Sequence, residues 1–302
     1  MIILDGKQIA ADIRLELKEQ IGRRIGGRRA SAGDKQVTVN RRPKLGIVIV
    51  GHNPASETYV SNKMKACAEV GIEAERIAFE DTITQEQLLA QVQRLNNDPS
   101  FDGFIVQLPL PAHISEQTIT AAIDYRKDVD GLTPENVGRA AKGLPCIISA
   151  TPRGIRELLS RYHIPTDGKH VVVVGRSNIV GKPMASLLMQ KHETGNATVT
   201  LCHSHTANLK QICLTADILI VAVGHPGLIT ADMVAEGATV IDVGITRVED
   251  PNSPKGYRLA GDVDFDNVAP KCAYITPVPG GVGPMTIVSL LQNTLQAYGH
   301  TL

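Results

Sequence analysis

Tryptophan is absent from the chain, and the three aromatic residue types together make up only 3% of its 302 residues. Tyr59 and Tyr125 therefore stand out. No cysteine belongs to a C-x-x-C pair; Cys67, Cys146, Cys202, Cys213 and Cys272 are odd in number and widely scattered. That pattern argues against a disulfide framework and a zinc site and suits reduced, mostly buried thiols, none of them catalytic. Neither sign of charge is in surplus, with 31 basic and 31 acidic residues, so the overall field draws neither nucleic acid nor a membrane surface. No apolar run is long enough to span a bilayer, and the early Asp5 does not suit a secretory signal. A cytoplasmic protein is expected.

What is present is an alternation of strands and helices. Ile9, Ile13, Leu17 and Ile21, four apart, make Gly6–Arg24 an amphipathic helix, and the polar, Gly- and Arg-rich stretch Gly26–Arg42 reads as a surface insertion. Strands follow at Lys44–Gly51, Glu75–Phe79 and Gly103–Gln107. Asn53-Pro54 and the capping box Thr84-x-x-Gln87 open helices between them. Lys142–Ala150 reads as a crossing to a second domain. There, strands at Val171–Val174, Ala197–Cys202, Asp217–Val223, Thr239–Val243 and Ala273–Ile275 alternate with helices, including one over Thr230–Ala235. A short hairpin arm is expected at Gly256–Gly261 and a final helix over Met285–Ala297. The pattern predicts an α/β protein of two α/β domains, the second a Rossmann-like doubly wound parallel sheet.

The four valines Val171–Val174, the turn at Gly175 and the helix that follows aim a helix N-terminus at whatever lies beyond the strand, an arrangement that suits phosphate. A Walker A loop is excluded, because five residues separate Gly175 from Gly181-Lys182 and Pro183 follows. The dinucleotide fingerprint G-x-G-x-x-G is met imperfectly, with Ser177 where its second glycine belongs. At the end of the next strand, where a carboxylate would hold an NAD ribose, stand His203-Ser204-His205. Arg176 and Ser204 suit a 2′-phosphate instead, so NADP is the expected dinucleotide. His203-x-His205 lacks a third ligand at a convincing spacing, and no metal is expected.

In the first half, Ser56, Tyr59 and Lys63 share one helix face. Gln107 is a polar residue at the C-terminal end of an apolar strand, where parallel sheets place ligands. Lys127-Asp128-Val129-Asp130-Gly131 puts two carboxylates in a turn, and Thr276–Pro284 packs prolines and glycines into a rigid loop.

Taken together, Tyr59-x-x-x-Lys63, Val106–Pro111, Lys127–Gly131, Gly175–Pro183 and Pro277–Thr286, in this order, resemble the bifunctional methylenetetrahydrofolate dehydrogenase/methenyltetrahydrofolate cyclohydrolase family. Gly26–Arg42 is longer and more basic than the family pattern. The resemblance implies a folate-binding catalytic domain (1–146 with 285–302) and an NADP domain (147–284) facing each other across an active-site cleft, in a homodimer. It implies NADP-dependent oxidation of 5,10-methylenetetrahydrofolate and hydrolysis of the methenyl product to 10-formyltetrahydrofolate. Lys63 matches the catalytic lysine, Gln107 the glutamine that orients it, Tyr59 the aromatic that packs on the folate, and Asp130 the acceptor for the pterin amino edge. Pro277 and Gly281 match substrate-binding positions; Gly175, Arg176, Ser177, Ser204 and Ile245 match cofactor positions.

Overall fold

The computed structural model describes residues 1–25, 41–251, 253 and 256–300. In chain order, strand β1 (Ile2–Ile3) precedes helix α1 (Gly6–Ile25), followed by β2 (Lys44–Val50), α2 (Pro54–Val70), β3 (Glu73–Phe79), α3 (Gln85–Asn97), β4 (Gly103–Val106), α4 (Glu116–Ala121) and α5 (Pro134–Ala141). The second half runs α6 (Ala150–Arg161), β5 (His170–Val174), α7 (Gly181–Leu188), β6 (Thr198–Cys202), α8 (Leu209–Cys213), β7 (Ile218–Val221), β8 (Thr239–Asp242), β9 (Thr246–Glu249), β10 (Tyr257–Ala260), α9 (Phe265–Val268), β11 (Tyr274–Ile275) and α10 (Val282–His300).

Two compact units result. One comprises Ala11–Ala150 with Ile287–Leu302, the other Met1–Ala10 with Thr151–Thr286. The expected division put residues 1–10 with the first half. They fall with the second because Ile2 and Ile3 pair in parallel with Tyr274 and Ile275, a two-residue strand too short to show a period in the sequence.

The first unit is built on a parallel sheet in the order β3-β2-β4. Val48, Val50, Phe104 and Val106 on this sheet pack with Leu88, Val92 and Leu95 of α3 and with Ile114, Ile119 and Ile123. The expected capping box forms: Thr84 Oγ1 accepts from Gln87 N, and Gln87 Oε1 accepts from Thr84 N. At the sheet's edge Arg41 grips the buried Asp102 carboxylate with two bonds of 2.7 Å. The bulk of the Gly26–Arg42 insertion, residues 26–40, lies outside the described residues.

The second unit holds a six-stranded sheet, β1-β11-β8-β7-β5-β6, every pairing of which is parallel. Val171–Val174 are buried on both faces, each side chain stabilising the fold by about 1.5–3 kcal/mol. The helix expected over Thr230–Ala235 is only a 3-10 turn, Ala231–Met233. Ile229 is already bridged to Val263 and Gly237 turns the chain toward β8, so too few residues remain for a regular helix. The hairpin arm forms between β9 and β10, with Tyr257 opposite Glu249 and Ala260 opposite Thr246. Among the described residues no helix is long and apolar enough to cross a membrane.

Candidate active-site residues

Helix α2 starts where the sequence says it should. Asn53 caps it by accepting from Ala55 N and Ser56 N, Pro54 occupies the first turn, and Gly71 ends it in the left-handed region, the cap alone contributing about 1 kcal/mol. The four-residue spacing then puts Tyr59 and Lys63 on neighbouring turns of one face. Lys63 is buried and its Nζ donates to Gln107 Oε1 at 3.1 Å. Gln107 is placed by the sheet: its N–H donates to Val48 O just past the end of β4. Its Nε2 donates to Leu108 O at 2.7 Å, which fixes the amide so that the oxygen faces the lysine. One turn beyond Lys63, burial pushes the Cys67 thiol up to about 12 against the pull of the Lys63 charge. That thiol is no nucleophile at neutral pH.

Asp130 lies at the tip of a turn that runs alongside β4, where Phe104 N donates to Lys127 O. Burial raises the Asp130 carboxyl above its ordinary value of 3.8; the Lys63 charge opposes that rise and Asp128 adds to it. The family resemblance assigns a role to Asp130 and none to Asp128. It has one: its Oδ1 accepts from Gly131 N at 2.9 Å, and its Oδ2 accepts from Thr133 N at 2.7 Å and Asn136 Nδ2 at 3.0 Å. Asn293 of α10 donates to Val129 O and Ile148 O, and Ser149 Oγ donates to Gly131 O. Asp128, Asn136, Ser149 and Asn293 are all buried. They fix the backbone on either side of Asp130.

The second unit carries the glycine turn after β5. Gly175 has φ of 121°, and a Cβ there would stand 2.2 Å from Ala222 O; one on Gly181 would stand 1.9 Å from Gly175 O. Only glycines let the turn close on itself and on the neighbouring strand. Ser177 explains the departure from the usual fingerprint: its Oγ accepts from Val180 N and Gly181 N, closing the turn that leads into α7. Arg176 and Ser204 are exposed after β5 and β6, and Ile245 is exposed after β8, all at the carboxyl edge of the sheet, where open α/β sheets bind ligands. The carboxylate-free end of β6, with an exposed guanidinium and hydroxyl, fits a dinucleotide carrying a 2′-phosphate. Pro277 and Gly281 belong to this second unit, not to the one holding Lys63, Gln107 and Asp130. Gly281 is buried, and its carbonyl packs against Gly6.

A glycine turn for a dinucleotide in one unit and a buried lysine, amide and carboxylate set in the other define a dinucleotide-dependent enzyme. Comparison with known proteins narrows the class. The family described as tetrahydrofolate dehydrogenase/cyclohydrolase matches in two parts, its catalytic domain over residues 4–130 and its NAD(P)-binding domain over residues 149–302. The bifunctional protein FolD of Porphyromonas gingivalis is 58% identical over 297 residues, covering 98% of this chain and 96% of that one. The FolD methylenetetrahydrofolate dehydrogenase/cyclohydrolase structure from Campylobacter jejuni is 44% identical, with a TM-score of 0.90 and full coverage of both chains. A Trypanosoma brucei methylenetetrahydrofolate dehydrogenase-cyclohydrolase, solved with NADP and an inhibitor, is 39% identical with a TM-score of 0.89 over 99% of this chain and 98% of that one. The chain belongs to the tetrahydrofolate dehydrogenase/cyclohydrolase family.

Proposed function

We propose that the protein oxidises 5,10-methylenetetrahydrofolate with NADP⁺ to 5,10-methenyltetrahydrofolate, and adds water to that cation to give 10-formyltetrahydrofolate and a proton. When bound, NADP supplies the acceptor for the hydride that leaves the one-carbon bridge. Gly175, Arg176, Ser177, Ser204 and Ile245 hold it, with Arg176 and Ser204 reading the 2′-phosphate. Asp130 accepts from the pterin amino edge and fixes the substrate's orientation, Tyr59 covers the ring, and Pro277 and Gly281 complete the substrate contacts.

The observation that carries this reading is the 3.1 Å bond from Lys63 Nζ to Gln107 Oε1. It holds a buried amine in one orientation, where it can move a proton as water adds to the one-carbon unit and the ring opens. The hydride step needs no such group, so the two activities separate on mutation. Lys63→Met is expected to lower cyclohydrolase activity by about 100-fold or more while NADP affinity stays within about twofold, as measured by calorimetry. Undiminished decay of methenyl absorbance in that variant would remove Lys63 from the mechanism. The reading extends to a homodimer, which light scattering tests and the motif resemblance supports, and to a cytoplasmic location.

A further inference from the structure

Two buried aspartates of the second unit have no part in the chemistry above. Asp262 is completely buried, yet its Oδ2 accepts from Val223 N at 2.7 Å and Gly224 N at 3.0 Å, in a turn that is itself exposed. Its Oδ1 finds no donor among the described residues. Asp242, at the end of β8, backs it: Asp242 Oδ1 accepts from Asp262 N and Gly244 N, both at 2.9 Å, and Oδ2 accepts from Val263 N at 3.0 Å. The fit is close, since a Cβ on Gly244 would stand 2.4 Å from Asp262 Oδ1.

A buried carboxylate with one oxygen unmatched is a poor device for stability, because an apolar side chain of similar size avoids the desolvation cost. What this one achieves is the placement of two backbone N–H groups. The turn it holds follows β7, directly beside the phosphate turn: Ala222 N donates to Val174 O, and Ala222 O lies against Gly175. Displacing Val223 and Gly224 therefore displaces the carbonyl on which the first glycine of the phosphate turn rests.

We infer that Asp262 is a positioning residue for the dinucleotide, setting the Val223–Gly224 turn, with Asp242 holding Asp262 in place. The inference rests on the NADP reading above. It does not place Asp262 against the ligand, since the carboxylate is sealed from solvent. Asn at this position keeps an oxygen for both N–H groups and puts its amide nitrogen where Oδ1 now has no donor; Ala keeps neither.

The test uses the two activities against each other, because hydrolysis of methenyltetrahydrofolate, assayed without dinucleotide, does not draw on this turn. Asp262→Ala is expected to raise the KM for NADP by about tenfold or more, to change dehydrogenase kcat less, and to leave cyclohydrolase within about twofold. Asp262→Asn is expected to restore the KM. An unchanged KM in the Ala variant, equal loss of both activities, or an Asn variant as impaired as Ala overturns the inference. A second measurement needs no variant: in the wild-type protein without dinucleotide, the exposed Val223 and Gly224 amides should exchange hydrogen slowly, and fast exchange overturns the clamp. Failure of the NADP reading itself would show separately, as wild-type protein without NADP-dependent turnover.

Discussion

The turn at Asp130 in the first unit and the turn at Val223–Gly224 in the second are held by the same device, a buried aspartate accepting backbone N–H groups. They differ in reach and in completeness. Asp128 holds residues three and five positions ahead of it, and both its oxygens are matched by donors. Asp262 holds residues 38 and 39 positions behind it, with one oxygen unmatched and a second carboxylate in series. A local clamp sets a turn as the turn forms; a distant one sets it only when the sheet is assembled. The first belongs to the turn that carries Asp130, the proposed pterin acceptor, the second to one that presents backbone.

The comparison breaks most readily at Asp128. Asp128→Ala leaves two buried backbone donors and the Asn136 amide without their acceptor and is expected to cost about 3 kcal/mol or more of stability, read from denaturant midpoints. In the protein that still folds, both activities should fall together at low folate while NADP affinity holds, the opposite of the split expected at Asp262.

Acid sharpens it next. Burial, with Asp262 adding to it, holds the Asp242 carboxyl up at about 6 against an ordinary 3.8, while three backbone N–H groups pull it down. Folding therefore takes up a proton between these values. Ionised Asp242 costs stability at neutral pH, and that cost is relieved as the pH falls from about 6 toward 4, a gain of roughly 2–3 kcal/mol at most. Denaturation midpoints at pH 7 and pH 5 should show it, and Asp242→Asn should flatten the slope. Asp130 is raised as well, so with Asp130 as the proposed pterin acceptor, folate binding is expected to weaken on acidification sooner than it would with an ordinary aspartate. A folate KM that does not rise as the pH falls would count against Asp130 as the pterin acceptor.

Asn293→Ala removes the two bonds that α10 makes to Val129 O and Ile148 O and should cost about 2 kcal/mol, with a raised folate KM and unchanged NADP affinity. The smallest effect is expected at Arg176. It is exposed, and Arg176→Ala should reduce the preference for NADP over NAD by about tenfold, read from the ratio of kcat/KM values.

How much of this could be read from the residues follows the same division between near and far. Tyr59, Lys63, Gln107 and the Lys127–Gly131 turn stand out in the sequence because helix spacing, a strand end and a short turn motif are local patterns, while the roles proposed for them come from the family resemblance. The departure at Ser177 was legible too, though its purpose, closing the turn into α7, needed the structure. Asp242, Asp262 and Asn293 were not: each acts on backbone brought near by the sheet or by the last helix, and an isolated aspartate or asparagine carries no sign of that. Arg41 read as part of a basic surface stretch, and its partner Asp102 lies 61 residues away. Ile2 and Ile3 gain their strand from β11, almost at the other end of the chain.

The bond from Asn293 to the Asp130 turn also bears on the order of events during synthesis. Residues 11–150 hold every other part of that unit's clamp, but Asn293 is made only after the whole dinucleotide unit. At roughly 5–20 residues per second, the first half waits on the order of ten seconds for the residue that pins Val129 and Ile148. A chain halted before α10 would carry Lys63, Gln107 and Asp130 without the bonds from Asn293 that pin Val129 O and Ile148 O, so the Asp130 turn is fully anchored only after the dinucleotide unit has been made.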